Sequence, residues 1–366
     1  MTGLPKADRP QQLGLSSDRL ERLSATFRDD VDRGLIPGAV LLIARSGQIG
    51  YAEAFGWRDR EKQSPMGFDA IFRIASMTKP VTSVAAMMLA EEGKLQIAAP
   101  VADYLPELKD RTIGVERVRA KRTMTVQDLL RHTSGLTYAQ FGDKPVQMNW
   151  RDANLMSADQ TNEELVAKLA HLPLMFEPGT TWEYSMSTDV LGRVVEVVSG
   201  QRLADFFAQR IARPLRMADT AFEATGERAA RVAEPQIDPA TGVRPPMHDL
   251  GRPHRWASGG GGLASSATDY LRFCQMLLNG GAECGFWRRA RSATWQPTIC
   301  PRASTTARRR ASASVRSLRC PRWAMALVWA LPCASPPAGA RCRVRLANIS
   351  GAACMARRSG STRRRS

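Results

Sequence analysis

The sequence predicts an α/β protein of the α+β kind, with a mostly antiparallel sheet flanked by helices and a mostly helical segment inserted between two parts of the sheet layer. Three observations carry that prediction. One helical pattern is followed at once by two strand-like runs joined by a Ser46-Gly47 turn. A third strand-like run, Phe72-Arg-Ile-Ala75, passes directly into helical periodicity at Ser76. Helical and loop patterns, with connections rich in Pro and Gly, then dominate to about residue 254, and no internal repeat is evident.

The elements follow in order. Ser17 is placed to cap a helix whose Leu20, Leu23, Phe27 and Val31 share one face until Gly34 stops it. Ala39-Val-Leu-Leu-Ile-Ala44 and Gln48 to Ala54 form a β-hairpin. The helix from Ser76 runs through Met87-Met88-Leu89 to Glu92, with Gly93 as its stop. Further helices are predicted over Thr125 to Arg131, Asn162 to Ala170, Val190 to Val198 and Leu203 to Ile211. The organisation expected is one main domain over 1–286, with its sheet layer at about 15–92 and 255–286 and the helical insert at about 93–254. An Arg-rich tail over 287–366 follows.

A chain of 366 residues that is 43% hydrophobic and 24% charged can bury a large core, which excludes disorder as a whole. No apolar run reaches the roughly 18 residues of a membrane span, and Met1 to Gly14 lacks the apolar stretch of a signal peptide. The expected compartment is the cytoplasm, with no membrane partner. The net charge of +17 points to nucleic acid only if it is spread over the body. It is not: 18 of the 52 basic residues are Arg between Trp287 and Ser366, where Lys, Asp and Glu are absent. The remaining 34 basic residues face 35 acidic ones, so the body is near neutral and no nucleic-acid partner is expected of it. A nucleic-acid arm in the tail is the rival reading from another class, and steep salt dependence of binding would distinguish it. Five of the seven Cys (Cys300, Cys320, Cys333, Cys342 and Cys354) lie in that tail without Cys-x-x-Cys spacing, so neither metal nor disulfides are implied.

Ser76-Met-Thr-Lys79 is the only Ser-x-x-Lys in the chain. On a helix such residues share a face about 5 to 6 Å apart at Cβ, close enough for a desolvated lysine amine to take the Ser proton and make the hydroxyl a nucleophile. Alone the pattern is weak, since roughly one such match arises by chance in a chain of this size. Its place at a strand-to-helix junction strengthens it, because first-turn amides there can receive an oxyanion. Tyr184, in Tyr184-Ser-Met-Ser-Thr-Asp-Val-Leu-Gly192, can shuttle protons beside a Lys, although a Tyr is more often a core side chain with its hydroxyl satisfied. None of His132, His171, His248 and His254 lies in a zinc-binding array, and His132 reads as structural. Gly259 to Gly262 lacks the Gly-Lys-Ser/Thr of a phosphate loop and reads as a flexible segment near the active site. No Gly-x-Ser-x-Gly is present, against an α/β-hydrolase elbow.

Taken in order, these motifs resemble the serine β-lactamase-like superfamily, and most closely its family VIII carboxylesterases. The resemblance rests on Phe72-Arg-Ile-Ala-Ser-Met-Thr-Lys-Pro80, His132-Thr-Ser-Gly-Leu136, Pro178-Gly179 with Trp182-Glu-Tyr-Ser185, Asp189-Val-Leu-Gly192 and Ser258-Gly-Gly-Gly-Gly-Leu-Ala-Ser265, and covers roughly 15–282. It implies a β-lactamase-like fold and a serine esterase acting on short-chain esters, with Ser76 acylated, Lys79 and Tyr184 moving protons, and no cofactor. The Tyr-x-Asn triplet of class C β-lactamases reads Tyr184-Ser185-Met186 here, so esters are favoured over β-lactams. The alternatives within the class are a class C-like β-lactamase, a D-Ala-D-Ala peptidase and an amide hydrolase. The sequence does not specify an oligomeric state.

The tail begins where this family still needs sheet strands. Shifted by one reading frame, codons for residues 347–363 admit a Trp-Gly-Gly motif of family VIII, and the junctions Trp323-Ala324, Met325-Ala326, Trp329-Ala330 and Met355-Ala356 must each give Gly. The tail is therefore expected to be an out-of-frame translation starting near Gly280 to Phe286, leaving the late strands missing, the hairpin edge unpaired and the chain as written nearly inactive.

Overall fold

The computed structural model describes residues 4–239 and 241–281 together with the backbone of 323–329. Helix α1 (Ser17–Asp32) has Ser16 at its N-cap position, one residue before the expected Ser17, and that side chain makes no capping hydrogen bond. Strands β1 (Gly38–Arg45) and β2 (Gln48–Asp59) form the expected hairpin, in antiparallel register from Gly38 opposite Gly56 to Arg45 opposite Gln48. Strand β3 (Ser64–Pro65) pairs with β2. One face of β1 puts Val40, Leu42 and Ala44 into the main core. The other packs Ala39 and Leu41 with Phe27 and Val31 of α1. Burial on both faces is why this strand is apolar throughout instead of alternating.

Strand β4 (Ile71–Arg73) leads through a 3-10 turn, Ala75–Met77, into α2 (Thr78–Glu91). Val81, Val84, Ala85, Met88 and Leu89 bury α2 in the core, as its near-continuous apolar sequence requires. The insert begins with a small hairpin of β5 (Thr112–Ile113) and β6 (Val118–Arg119). Helices α3 (Val126–Arg131), α4 (Pro145–Arg151) and α5 (Asn162–Ala170) follow. Capping boxes of Thr125 with Asp128 and Thr161 with Glu164 fix the starts of α3 and α5 where the sequence placed them.

Helix α6 (Ser187–Ser199) starts three residues before the expected Val190, because its first turn is made of the buried polar residues Ser187, Thr188 and Asp189, which apolar periodicity does not register. Helix α7 (Leu203–Phe207) continues as a π-helical turn to Ala212. Strand β7 (Ala264–Ser266) pairs with β4, Arg73 opposite Ala264, and α8 (Ala267–Leu278) closes the core with Tyr270 and Phe273. The insert and the sheet layer share one hydrophobic cluster.

The expectation of an unpaired hairpin edge is corrected by the structure. Trp323–Trp329 forms β8, antiparallel to β1, with Ala39 opposite Trp329 and Arg45 opposite Trp323. The sheet order is β3-β2-β1-β8. Averaged over 80 residues the tail looks unfit for a sheet, but Trp-Ala-Met-Ala-Leu-Val-Trp contains neither Arg nor Pro and is rich in strand formers. It meets the free amides and carbonyls along β1. The rest of the tail, with the five cysteines named above, lies outside the described residues.

Candidate active site

Three chain segments converge on the hydroxyl of Ser76. The first is its own turn: Ala75 has φ +42°, a left-handed value that costs a non-glycine residue roughly 1–3 kcal/mol, and this bend leaves Ser76 exposed at the start of α2. Helical spacing then puts Lys79 Nζ 3.2 Å from Ser76 Oγ, with the lysine itself buried. From the insert, the Tyr184 hydroxyl donates to the same oxygen at 2.5 Å. The three residues singled out in the sequence are thus brought together.

Lys79 has two more acceptors, the Gly260 carbonyl at 2.7 Å and the Tyr138 hydroxyl at 3.3 Å. With Ser76 these use all three ammonium hydrogens. Its Nζ also lies over the Tyr184 ring, 4.6 Å from the centroid, and over that of Tyr138 at 5.5 Å. Sequence reasoning missed Tyr138 and Gly260. Tyr138 follows directly on the His132-Thr-Ser-Gly-Leu136 motif, which was the available signal.

The loop before β7 is held rather than loose, which corrects the reading of Gly259 to Gly262 as flexible. Asp189, fully buried in the first turn of α6, accepts from Ser258 Oγ at 2.5 Å and from the Gly260 amide at 3.0 Å. Gly261 N–H donates to Ser258 Oγ, and Leu263 N–H to Thr78 Oγ1. Glycine is needed at 260 for close approach, since a Cβ there would stand 2.2 Å from Asp189 Oδ2.

His132 sits in the left-handed cap of α3 (φ +57°) and accepts at Nδ1 from the Ser185 amide at 3.3 Å. Burial, with a smaller contribution from the Lys79 charge, lowers its pKa to about 4, so it is a neutral ring packed 5.2 Å from that of Tyr184. Phe141 and Trp182, 64% and 58% exposed, also approach the Tyr184 ring and give its surroundings apolar surface open to solvent. Met186 is buried where the triplet carries Asn in class C β-lactamases. Among the described residues no group of His, Cys, Asp and Glu could hold a metal ion, and no helix is long and apolar enough to cross a membrane.

Comparison with known proteins places the chain among esterases and β-lactamase-like structures. The chain is 35% identical over 276 residues to esterase EstB of Burkholderia gladioli, covering 70% of this chain and 69% of that one. It is 31% identical over 274 residues to a lovastatin esterase of Penicillium rubens, covering 70% and 68%. Among solved structures, EstCE1, a hydrolase with promiscuous acyltransferase activity, superposes with a TM-score of 0.66 at 28% identity, over 78% of this chain and 77% of that one. A class C β-lactamase from Rhodobacter sphaeroides superposes with a TM-score of 0.55 at 26% identity, over 74% and 69%. Fold and relatives together define a serine hydrolase. The chain belongs to the beta-lactamase family, whose model matches residues 23–310.

Proposed function

We propose that this protein hydrolyses short-chain carboxylic esters through an acyl-enzyme on Ser76. The observation that carries the reading is the meeting of Lys79 Nζ and the Tyr184 hydroxyl on one oxygen, Ser76 Oγ. A neutral Lys79 amine keeps two hydrogens for Gly260 and Tyr138 and has a lone pair free for the Ser76 proton. As Ser76 Oγ bonds to the ester carbonyl carbon, that proton passes to Lys79 and the carbonyl oxygen becomes an oxyanion, held by the Ser76 amide. The C–O bond to the alcohol then breaks, and the leaving alkoxide takes a proton relayed through Lys79 and Tyr184. Water attacks the acyl-enzyme, giving one proton to the Tyr184 and Lys79 pair, and collapse returns a hydrogen to Ser76 and releases the acid.

The buried, amide-free Met186 counts against a β-lactam or peptide substrate, and the exposed aromatic surface beside Tyr184 suits an uncharged small ester. A serine-directed phosphonate should label Ser76 in the full chain, and Ser76→Ala should lower kcat/KM for a short-chain p-nitrophenyl ester by at least about 10³. Label on another serine, or turnover undiminished in Ser76→Ala, overturns the reading.

A further inference from the structure

We infer that Asp189 is a positioning residue that sets the place of Lys79, acting through Gly260 and Tyr138. The inference rests on the esterase reading above and goes beyond it to a residue that neither touches Ser76 nor would meet the ester. Asp189 Oδ1 receives the Ser258 hydroxyl and the Gly260 amide, and the Tyr138 hydroxyl donates to Oδ2 at 3.4 Å. The two groups tied down in this way, Gly260 and Tyr138, are the two acceptors that hold Lys79 Nζ apart from Ser76. One fully buried carboxylate therefore fixes two of the three contacts that aim the amine.

Its partners hold both carboxyl oxygens, Ser258 and Gly260 on Oδ1 and Tyr138 on Oδ2. Burial raises its pKa on balance, and the Ser258 and Gly260 hydrogen bonds, the Lys79 charge and Tyr138 offset only part of that push. The position is favourable for an anion, since Asp189 is in the first turn of the 13-residue helix α6. The loop can come this close only because it is glycine: a Cβ at Gly259 would lie 2.7 Å from the Thr188 carbonyl, and one at Gly260 still closer to Asp189.

The titratable groups facing Lys79 are Tyr138 and His132 from the segment after α3, Tyr184 before α6, and Asp189 in α6. His132 is neutral above about pH 4.

The test is kcat and KM for a short-chain p-nitrophenyl ester, measured on the full chain and on two variants. Asp189→Asn keeps an oxygen for Ser258 and Gly260 and replaces the one that accepts from Tyr138, so kcat should fall about tenfold or more with KM changed far less. Ser258→Ala removes one tether on the other oxygen, so kcat should fall several-fold, again with KM changed far less. That variant still reads the tether if Asp189→Asn does not fold. Unchanged kcat in folded Asp189→Asn or in Ser258→Ala, or a fall in kcat matched by an equal change in KM, overturns the inference. Phosphonate labelling of wild-type Ser76 separates the two levels: without it the esterase reading falls and takes this inference with it, whereas labelling with unaltered variants removes the inference alone.

Discussion

The Lys79 amine donates to the Gly260 carbonyl at 2.7 Å, although 181 residues separate them in the chain. The contact exists because β4, which leads into Ser76, pairs with β7, which follows Gly260. Ile74 N–H donates to the Leu263 carbonyl at 3.0 Å between them. The antiparallel pair thus lays the glycine loop against the first turn of α2, and the Lys79 amine is aimed from outside its own helix.

Lys79 and Tyr184 should each be worth roughly 10² to 10⁴ in rate, as positioned proton-transfer groups generally are. Tyr184→Phe keeps the ring among His132, Tyr138 and Trp182 and removes only the hydroxyl, so its melting temperature should stay near wild type while turnover drops. Near-wild-type turnover in Tyr184→Phe would assign that tyrosine to packing.

His132 should make the fold less stable in acid. Its folded pKa of about 4 lies below the ordinary value of 6.5, so between these pH values the unfolded chain binds the extra proton. The contribution is fully present above about pH 6.5, is lost as pH falls toward about 4, and levels off below that, with a total on the order of 3 kcal/mol. His132→Asn, which tolerates the left-handed backbone, should flatten this part of a stability-against-pH curve from denaturant melts. An equal slope in the variant would place the titration elsewhere.

Gly135→Ala should destabilise by roughly 2 kcal/mol or more, lowering the melting temperature by several degrees. Gly135 has φ +84°, and a Cβ there would stand 2.2 Å from the Phe176 carbonyl oxygen, a backbone atom that cannot swing aside. Calorimetry showing an unchanged transition would contradict the close approach.

The pairing of β8 with β1 makes a prediction about truncation. A chain ended after Trp329 keeps the strand that covers β1, whereas one ended after Arg322 exposes that edge and should aggregate during purification. Equal solution behaviour of the two would mean that the strand adds nothing to the edge.

We propose that the frame of the gene changes near codons 280–286. Resequencing codons 277–287 tests this directly, and a frame-corrected product should turn over ester faster than the 366-residue chain. Confirmation of the present frame would remove the proposal.

How much of this was legible in the sequence follows from the range of the interactions. Helix geometry fixes Ser76 and Lys79 on one face whatever surrounds them, so their spacing could be read directly. Tyr184 was found through its motif and not through spacing, since 108 residues separate it from Ser76. Only the tertiary structure decided that Tyr138, Gly260 and Asp189 enclose Lys79, because no local rule ties residues 59 and 181 positions away to an amine. The same is true of the first turn of α6, whose polar residues face a packed interior, and of β8, whose place is set by the free edge of β1. Local backbone geometry determined the pairing of Ser76 with Lys79, and long-range packing determined what holds that lysine in place.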